Sequence, residues 1–484
     1  MSRFRPRTLA LIAGLGTLAL PACDLADPTR ITNPNLTEQA VLETDQPLRF
    51  WVQGLERQLA VAFANYTTEA EIASDNYQNT NTFFDQELDL LNLIYTNQNT
   101  DATFFVFSDL RESARYGREV VAEVDEDATD ADLAETYFFE AVADVVLGQA
   151  FTAAPLEPEG PLAAPEDHLR AALTALDEAL ALQPDADRRT GYLLLQARAH
   201  HALGERDQAV AAARAALTAD PDYVRFVEYD EGNGVNNDIE AALFDRASFD
   251  DLQPLPRLDF LDPKFAVAGG VDAAVPLLKA EEAHLILAEA TLADGQLAVA
   301  RDRMKAVLDL AASRPVATVD DNAEGRTQSS PGSRPNTADV VVRAGPEAPF
   351  REGLVLTRTG DGVTVSVPTV SGTSVTADMI DALATVDEAV RLLYLLRQEV
   401  FIGEGRRMLD LGIRFPITEP EVLSNPNVTE GEVTEGFVPA PLRPFATQFD
   451  AFTFDAATGQ VTILVDLNRV LAENRSDPAL VPLF

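Results

Sequence analysis

Cysteine is nearly absent: Cys23 is the single one in 484 residues, so no disulfide can form within the chain. Positive charge is scarce as well. Lys and Arg number 37 against 78 Asp and Glu, giving a formal net charge of −41, and the only lysines are Lys264, Lys279 and Lys305. Nucleic acid is thereby excluded as a partner, because binding it relies on basic patches that neutralise phosphates. The acidity reads first as solubility, with attraction of cationic ligands as the functional alternative.

Chemistry-bearing residues are sparse too. Only His168, His200, His201 and His284 occur, three of them inside predicted repeat helices, where a core or interhelical hydrogen-bonding role is the simpler reading. No HExxH, nucleophile elbow, P-loop or usable dinucleotide fingerprint is present. Carboxylates are so abundant that no catalytic pair stands out, which leaves a glycosidase without a recognisable acid and nucleophile. No catalytic residue, cofactor or metal ligand is assigned. In "YDEGNGVNND" (229–238), Asp230, Glu231 and Asp238 have calcium-type oxygens, but their spacing fits no EF-hand loop and a plain turn is preferred.

Long apolar runs are missing except one. Arg3, Arg5 and Arg7 precede an apolar stretch from Leu9 to Leu20, too short for a permanent span, which reads as an export signal. Leu20-Pro21-Ala22-Cys23 then resembles a lipoprotein cleavage site, with residues 1–22 as signal peptide and Cys23 lipidated as the new N-terminus. The alternative is an ordinary secretory signal that leaves an incidental thiol. Cleavage before Cys23 removes three arginines and no acid, moving the formal charge from −41 to −44. Stable anchoring takes several acyl chains, as such a residue would carry. Residues 23–48 form a polar leader punctuated by Pro and Asn.

What the chain has in plenty is alanine at regular intervals. In "GYLLLQARAHHALGERDQAVAAARAALTADPDY", Ala197, Gly204, Ala209, Ala216 and Pro221 recur at steps of seven, five, seven and five. That is the spacing of a tetratricopeptide helix pair: small residues where antiparallel helices touch, Gly at the turn, Pro after the second helix. Ala141, Gly148, Ala172, Ala179 and Pro184 repeat it around an inserted loop at 151–165, and Ala288, Gly295 and Ala300 give a third copy. The expected fold is mainly α, a tetratricopeptide-like helical repeat scaffold with a loop-rich subdomain and a small β-containing insert. Such scaffolds present surfaces and do not usually carry chemistry.

The remaining elements follow in order. A helix is expected over Arg49–Asn65, with Trp51, Leu55, Leu59 and Ala62 on one face. The helical body covers 49–314 and 377–430, with helix pairs at 132–221 and 276–313. Residues 315–376 shift to Pro, Gly, Ser, Thr and Val, and "GLVLTRTGDGVTVSVPTVSG" signals a hairpin around Asp361-Gly362. Thr385-Val386-Asp387-Glu388 matches a capping box that opens the last strong helix, read as continuing to Phe415. There Arg406 and Asp410 fall four apart, the spacing of a structural ion pair. Residues 431–484 form a C-terminal extension with a strand at 460–465.

Four stretches carry a resemblance to the SusD/RagB family of outer-membrane nutrient-binding lipoproteins. They are the Cys23 box with its leader Asn33-Pro34-Asn35, "YFFEAVADVVLGQAFTAAPL" (137–156), "LLKAEEAHLILAEATLADGQLAVARDRMKAVL" (277–308) and "LRQEVFIGEGRRMLDLGIRFPI" (396–417). In the last, Glu399, Glu404, Gly405, Arg406, Asp410 and Leu411 match the family signature, and "FPITEPEVLSNPNV" (415–428) is similar to its Pro-Ile segment. The resemblance implies a tetratricopeptide-like half that docks on a TonB-dependent outer-membrane barrel transporter. The other half would hold an oligosaccharide or peptide nutrient, with no bond broken. The expected location is the cell outer membrane, lipid-anchored and exposed at the surface.

A sugar ring stacks on aromatics and bonds its hydroxyls to Asn, Asp, Gln and Arg. The stretch richest in that mixture is 75–107, and the candidate ligand residues are Tyr77, Asn79, Phe83, Phe84 and Asp85, with Tyr95 and Asn97 behind them. A core role competes for the Phe pairs. The single Trp weakens glycan stacking and keeps peptide open. A second class of function stands beside nutrient binding: a lipid-anchored tetratricopeptide scaffold that assembles envelope proteins without a small ligand.

Overall fold

Packed helix pairs appear where the small residues recur. The computed structural model describes residues 38–79, 83–245, 252–266, 270–320, 334–357, 364–480 and 484. The chain divides into residues 1–44 and 45–484. Of the first unit, a short helix at Glu38–Leu42 is described, and the signal segment and Cys23 lie outside the described residues.

In the second unit, helices Pro47–Ile72, Gln98–Tyr116, Asp130–Ala150, Pro165–Leu182, Ala186–Ala202 and Arg206–Ala219 each pack on the next. Arg206–Ala219 then packs on Ala280–Ala293, which is paired with Leu297–Ser313. The local chemistry sets the boundaries. Thr129 accepts from the Asp132 amide and Asp185 from that of Arg188, each satisfying a donor that the first helical turn leaves unpaired. Gly204 and Gly295 occupy equivalent places after two first helices, both at φ +70°, a left-handed geometry that costs a residue with a Cβ. Ala141, Ala172, Ala179, Ala197, Ala209, Ala216, Ala288 and Ala300 are all buried, so helix axes approach closely along these rows. Gly148 lies within the last turn of its helix, which runs on to Ala150. A Cβ there would sit 2.7 Å from the Pro165 carbonyl oxygen, so this glycine sets a helix contact and not a turn.

The first long helix exceeds its expected range, spanning Pro47–Ile72. Leu55, Leu59 and Ala62 are buried as the periodicity requires, and the Trp51 indole donates to the Ser113 carbonyl at 2.8 Å. The helix pair expected at 276–313 begins as a strand: Val275–Lys279 pairs antiparallel with Val224–Val227. The inserted loop at 151–165 holds a two-residue ladder, Ala154–Pro155 against Leu162–Ala163.

The strand Thr364–Pro368 pairs antiparallel with Val316–Asp320, and the turn expected around Asp361-Gly362 lies outside the described residues. One expectation is corrected. The helix from Val386 stops at Val400. Gly403 and Gly405 follow at φ +73° and +65°, backbone that an α-helix cannot contain, and only Arg407–Asp410 resumes it. Thr385 and Glu388 do form the capping box. The strand at Gln460–Ile463 matches its prediction. It pairs antiparallel with Phe452–Asp455 and parallel with Val341–Arg343, tying the insert to the C-terminal extension in one three-stranded sheet.

Candidate functional site

The stretch chosen for its sugar-like chemistry spans two short elements and a loop. Tyr77–Asn79 forms an antiparallel ladder with Leu252–Pro254, with Tyr77 opposite Pro254 and Asn79 opposite Leu252. Both Tyr77 and Asn79 are buried, and the Asn79 amide donates to Asp89 at 3.1 Å. Phe83 and Phe84 open the helix Phe83–Asp89, and their side chains lie outside the described residues. Asp85 is half-buried and accepts from the Asn99 side chain. Asn97 caps the Gln98–Tyr116 helix, its buried oxygen accepting from the Asn99 amide at 3.0 Å. Tyr95 is half-buried in the loop between the two helices. Leu91 opens that loop at φ +52°, a left-handed geometry that costs an ordinary residue of order 1–3 kcal/mol. Leu90 and Ile94 are exposed there, and Phe105 is partly exposed on the following helix. Phe104 and Phe107 are core, edge-on to Phe151 and Tyr66 respectively.

Tyr77 and Asn79 thus hold the ladder, Asn97 positions a helix, and Asp85 and Tyr95 are the partly open members of the set. Acidity is concentrated alongside. Burial, then the nearby charge of Asp450, pushes Asp89 up to about 8, and burial pushes Asp101 up to about 6.

Behind the ladder lies a buried ionic network built from the signature at 396–417. Asp75, fully buried, accepts from Arg407 Nε at 2.5 Å and from Arg257 Nη2 at 2.7 Å. The two guanidinium groups hold its carboxyl below the ordinary range against the opposing effect of burial. Gln398 joins Arg257, Asn76 and Asn468. Glu71 accepts from Asn76 at 2.6 Å and from the Gly405 amide at 2.8 Å, and burial pushes it up to about 7. Glu404 takes both Lys264 and Lys279 at 2.7 Å.

The expected Arg406–Asp410 ion pair is replaced by others. Arg406 reaches Glu282 at 2.6 Å, and Asp410 takes a bidentate pair from Arg397 at 2.9 and 2.6 Å. Arg406 is the N-cap of the short helix Arg407–Asp410, and its guanidinium goes to Glu282 while Asp410 is taken by Arg397. Each of these groups has its opposite charge inside the protein, which marks the cluster as a device for docking segments.

Three of the four histidines are tied into helix packing by hydrogen bonds. His168 bonds Asp144 at 2.9 Å and the Ala154 carbonyl at 3.0 Å, His201 bonds Glu289 at 2.9 Å, and His200 bonds Glu205 at 2.7 Å. Burial pushes His284 down to about 4. In the 229–238 loop, Asp230 caps a 3-10 turn that ends at Gly234. A further cavity of about 380 Å³, bordered by Arg257, Arg351, Arg391, Asp466 and Asn468, was not foreseen. Its residues are scattered over more than 200 positions, and no local pattern announces them.

A stack of helix pairs with small sheets inserted defines a helical-repeat protein with a built-on β subdomain. No family model and no curated protein matches the sequence. Solved structures do. A SusD/RagB family protein from Bacteroides thetaiotaomicron aligns with a TM-score of 0.54 at 12% identity, over 78% of this chain and 94% of that one. A SusD-like carbohydrate binding protein from Bacteroides vulgatus gives 0.50 at 11% identity, over 75% and 82%. One described as a putative sugar binding protein, from the same species, gives 0.50 at 13%, over 82% and 94%. The fold of this chain is that of the SusD/RagB family.

Proposed function

We propose that the protein is a nutrient-binding lipoprotein of the outer membrane, anchored through Cys23, that holds a glycan or peptide for a TonB-dependent barrel transporter and acts as its partner and lid without catalysis. The observation that carries this reading is the SusD/RagB fold, extending over most of the chain in proteins two of which are described as binding carbohydrate or sugar. The signature residues Glu404, Arg406 and Asp410 are engaged in buried ion pairs, which suits a structural part for them. The ligand surface is assigned to the 77–97 segment. Asp85 and Tyr95 make direct contact, while Tyr77, Asn79 and Asn97 hold it in shape; the side chains of Phe83 and Phe84, the other expected contacts, lie outside the described residues.

Affinity purification of the tagged full-length chain from its own membranes tests the partnership: a barrel transporter in stoichiometric yield is the expected result. Calorimetric titration with soluble oligosaccharides and peptides tests the cargo, with Tyr95→Ala and Asp85→Ala expected to weaken binding at least tenfold. Recovery of periplasmic assembly proteins with no barrel, together with no ligand, would overturn the reading.

A further inference from the structure

Two stretches that hold no Lys or Arg, 58–110 and 415–442, meet in the fold. Together they carry thirteen acids, beside which the chain-wide ratio of 37 bases to 78 acids would place about six bases. The Gly436 amide donates to the Leu93 carbonyl at 3.0 Å, Ile94 bridges Glu435, and the Glu419 amide donates to the Asp101 carboxylate at 3.3 Å. The bases that border this junction are committed elsewhere. Arg111 is buried and donates to the Pro155 carbonyl, Arg115 pairs with Glu140 at 2.6 Å, and Arg414 has Glu166 as its neighbouring charge. The excess of acid at the junction is therefore local, over and above the acidity of the whole chain. Burial and the charge of Glu419 push Asp101 up to about 6.

Apolar side chains are exposed at the same place. Of the eleven large ones exposed among the described residues, Leu90, Ile94, Phe105 and Leu423 belong to these two stretches, Leu423 at 77%. Asp101 and Phe105 stand one turn apart on the helix Gln98–Tyr116, as do Glu419 and Leu423 on Glu419–Ser424, so each helix sets an acid and an apolar group in one row. A lone exposed leucine is ordinary, whereas a group of apolar side chains rimmed by charge marks an interaction surface. The backbone agrees. Leu91 and Glu159, the two non-glycine residues at positive φ among the described residues, flank the second stretch, and the Glu159 carbonyl accepts from Asn427 at 2.8 Å. Strained backbone of this kind gathers at ligand clamps and switch regions.

The surface discriminates between kinds of cargo. Its carboxylates repel an acidic ligand, and the aliphatic Leu90, Ile94 and Leu423 give a sugar ring no aromatic face to stack on. Lysine and arginine suit both features at once, with a charge for the acids and an apolar stem for the leucines. We propose that the cargo held here is a cationic peptide, whose Lys or Arg side chains meet the acids around Asp101 and Glu419 and whose aliphatic side chains cover Ile94 and Leu423. This rests on the nutrient reading of the 77–97 segment, which it narrows to one class of cargo and extends to 419–435.

The test is calorimetric titration of the full chain with a capped octapeptide of alternating lysine and leucine doublets. An extended chain sends alternate side chains to opposite faces, so doublets put both kinds on each face. Two control peptides replace lysine by glutamate or leucine by serine. One lysine–leucine peptide per chain is expected, with both controls at least tenfold weaker and affinity falling as added salt screens the charges. Ile94→Ser combined with Leu423→Ser, both at exposed positions, should keep the melting temperature and weaken binding at least tenfold. Asp101→Asn combined with Asp109→Asn, which keeps an oxygen for the Glu419 amide, should weaken it at least fivefold. No saturable binding of the lysine–leucine peptide, equal binding of either control, or undiminished binding by the Ile94 and Leu423 double variant would overturn the proposal. A neutral oligosaccharide bound in place of the peptide, and weakened by Tyr95→Ala, would overturn it and leave the nutrient site standing. Peptide binding with no barrel recovered would uphold it and count against the transporter partnership alone.

Discussion

Asp75→Asn replaces one oxygen by nitrogen in a fully buried ion cluster and leaves Arg407 and Arg257 without their shared counter-charge. Asp75 is fully buried, Arg407 is 1% exposed and Arg257 3%, so solvent cannot take over. Breaking a buried pair by removing one partner costs about 3–5 kcal/mol, because the surviving charge stays desolvated. The unit from 45 to 484 has 440 residues. At about 2.1 cal/mol/K per residue its unfolding entropy is about 0.9 kcal/mol/K, so the melting temperature should fall by about 3–5 °C.

Differential scanning calorimetry of the purified chain reads this, with Lys305→Ala as control. Lys305 reaches Asp381 on the surface, a pair worth about 0–1 kcal/mol, and its loss should move the transition by no more than about 1 °C. The sign with pH is fixed as well. Asp75 has its carboxyl lowered in the folded state, so its contribution is present above the unfolded value near 3.8 and is lost as pH falls through the folded one. The gap between wild type and Asp75→Asn should hold at pH 5–8 and close only below about pH 4. If Asp75→Asn melts within 1 °C of the wild type at pH 7, the argument from buried charge is wrong.

Glu71 should behave in the opposite sense. Its folded value is raised to about 7 by burial, so its contribution is complete below the unfolded value and is lost as pH rises through 7. Glu71→Gln should become more stable relative to wild type by about 2.5 kcal/mol between pH 5 and pH 8, read from urea midpoints. Gly148→Ala pushes a methyl against the Pro165 carbonyl and His168, and should cost about 1–3 kcal/mol with helical circular dichroism unchanged. Cys23→Ala should abolish incorporation of labelled palmitate and release the protein from the membrane fraction. Retention of label would place the anchor elsewhere.

The repeat pairs were legible because their cause is local. A small residue every seven or five positions lies on one helix face, and a glycine at φ +70° ends the first helix whatever surrounds it, so Ala197, Gly204 and Ala209 carry their own instructions. Ladder residues are a different case. Tyr77, Asn79 and Asn97 have the composition of a sugar site, yet two are walled in by a ladder and a core and the third is spent as a helix cap. Composition reports chemistry and not accessibility.

The sequence by itself determined the helix pairs, the capping box at Thr385 and the strand at 460–463, all of which rest on contacts among near neighbours. Only the tertiary structure decided that Asp75 meets Arg407 across 332 positions, that Val341–Arg343 joins the C-terminal hairpin, and that Arg257 and Asn468 come to border one cavity. The reason is one of range. Helical periodicity is written within a turn or two of chain, whereas the partner of a buried charge is chosen by whichever segments the completed stack brings together.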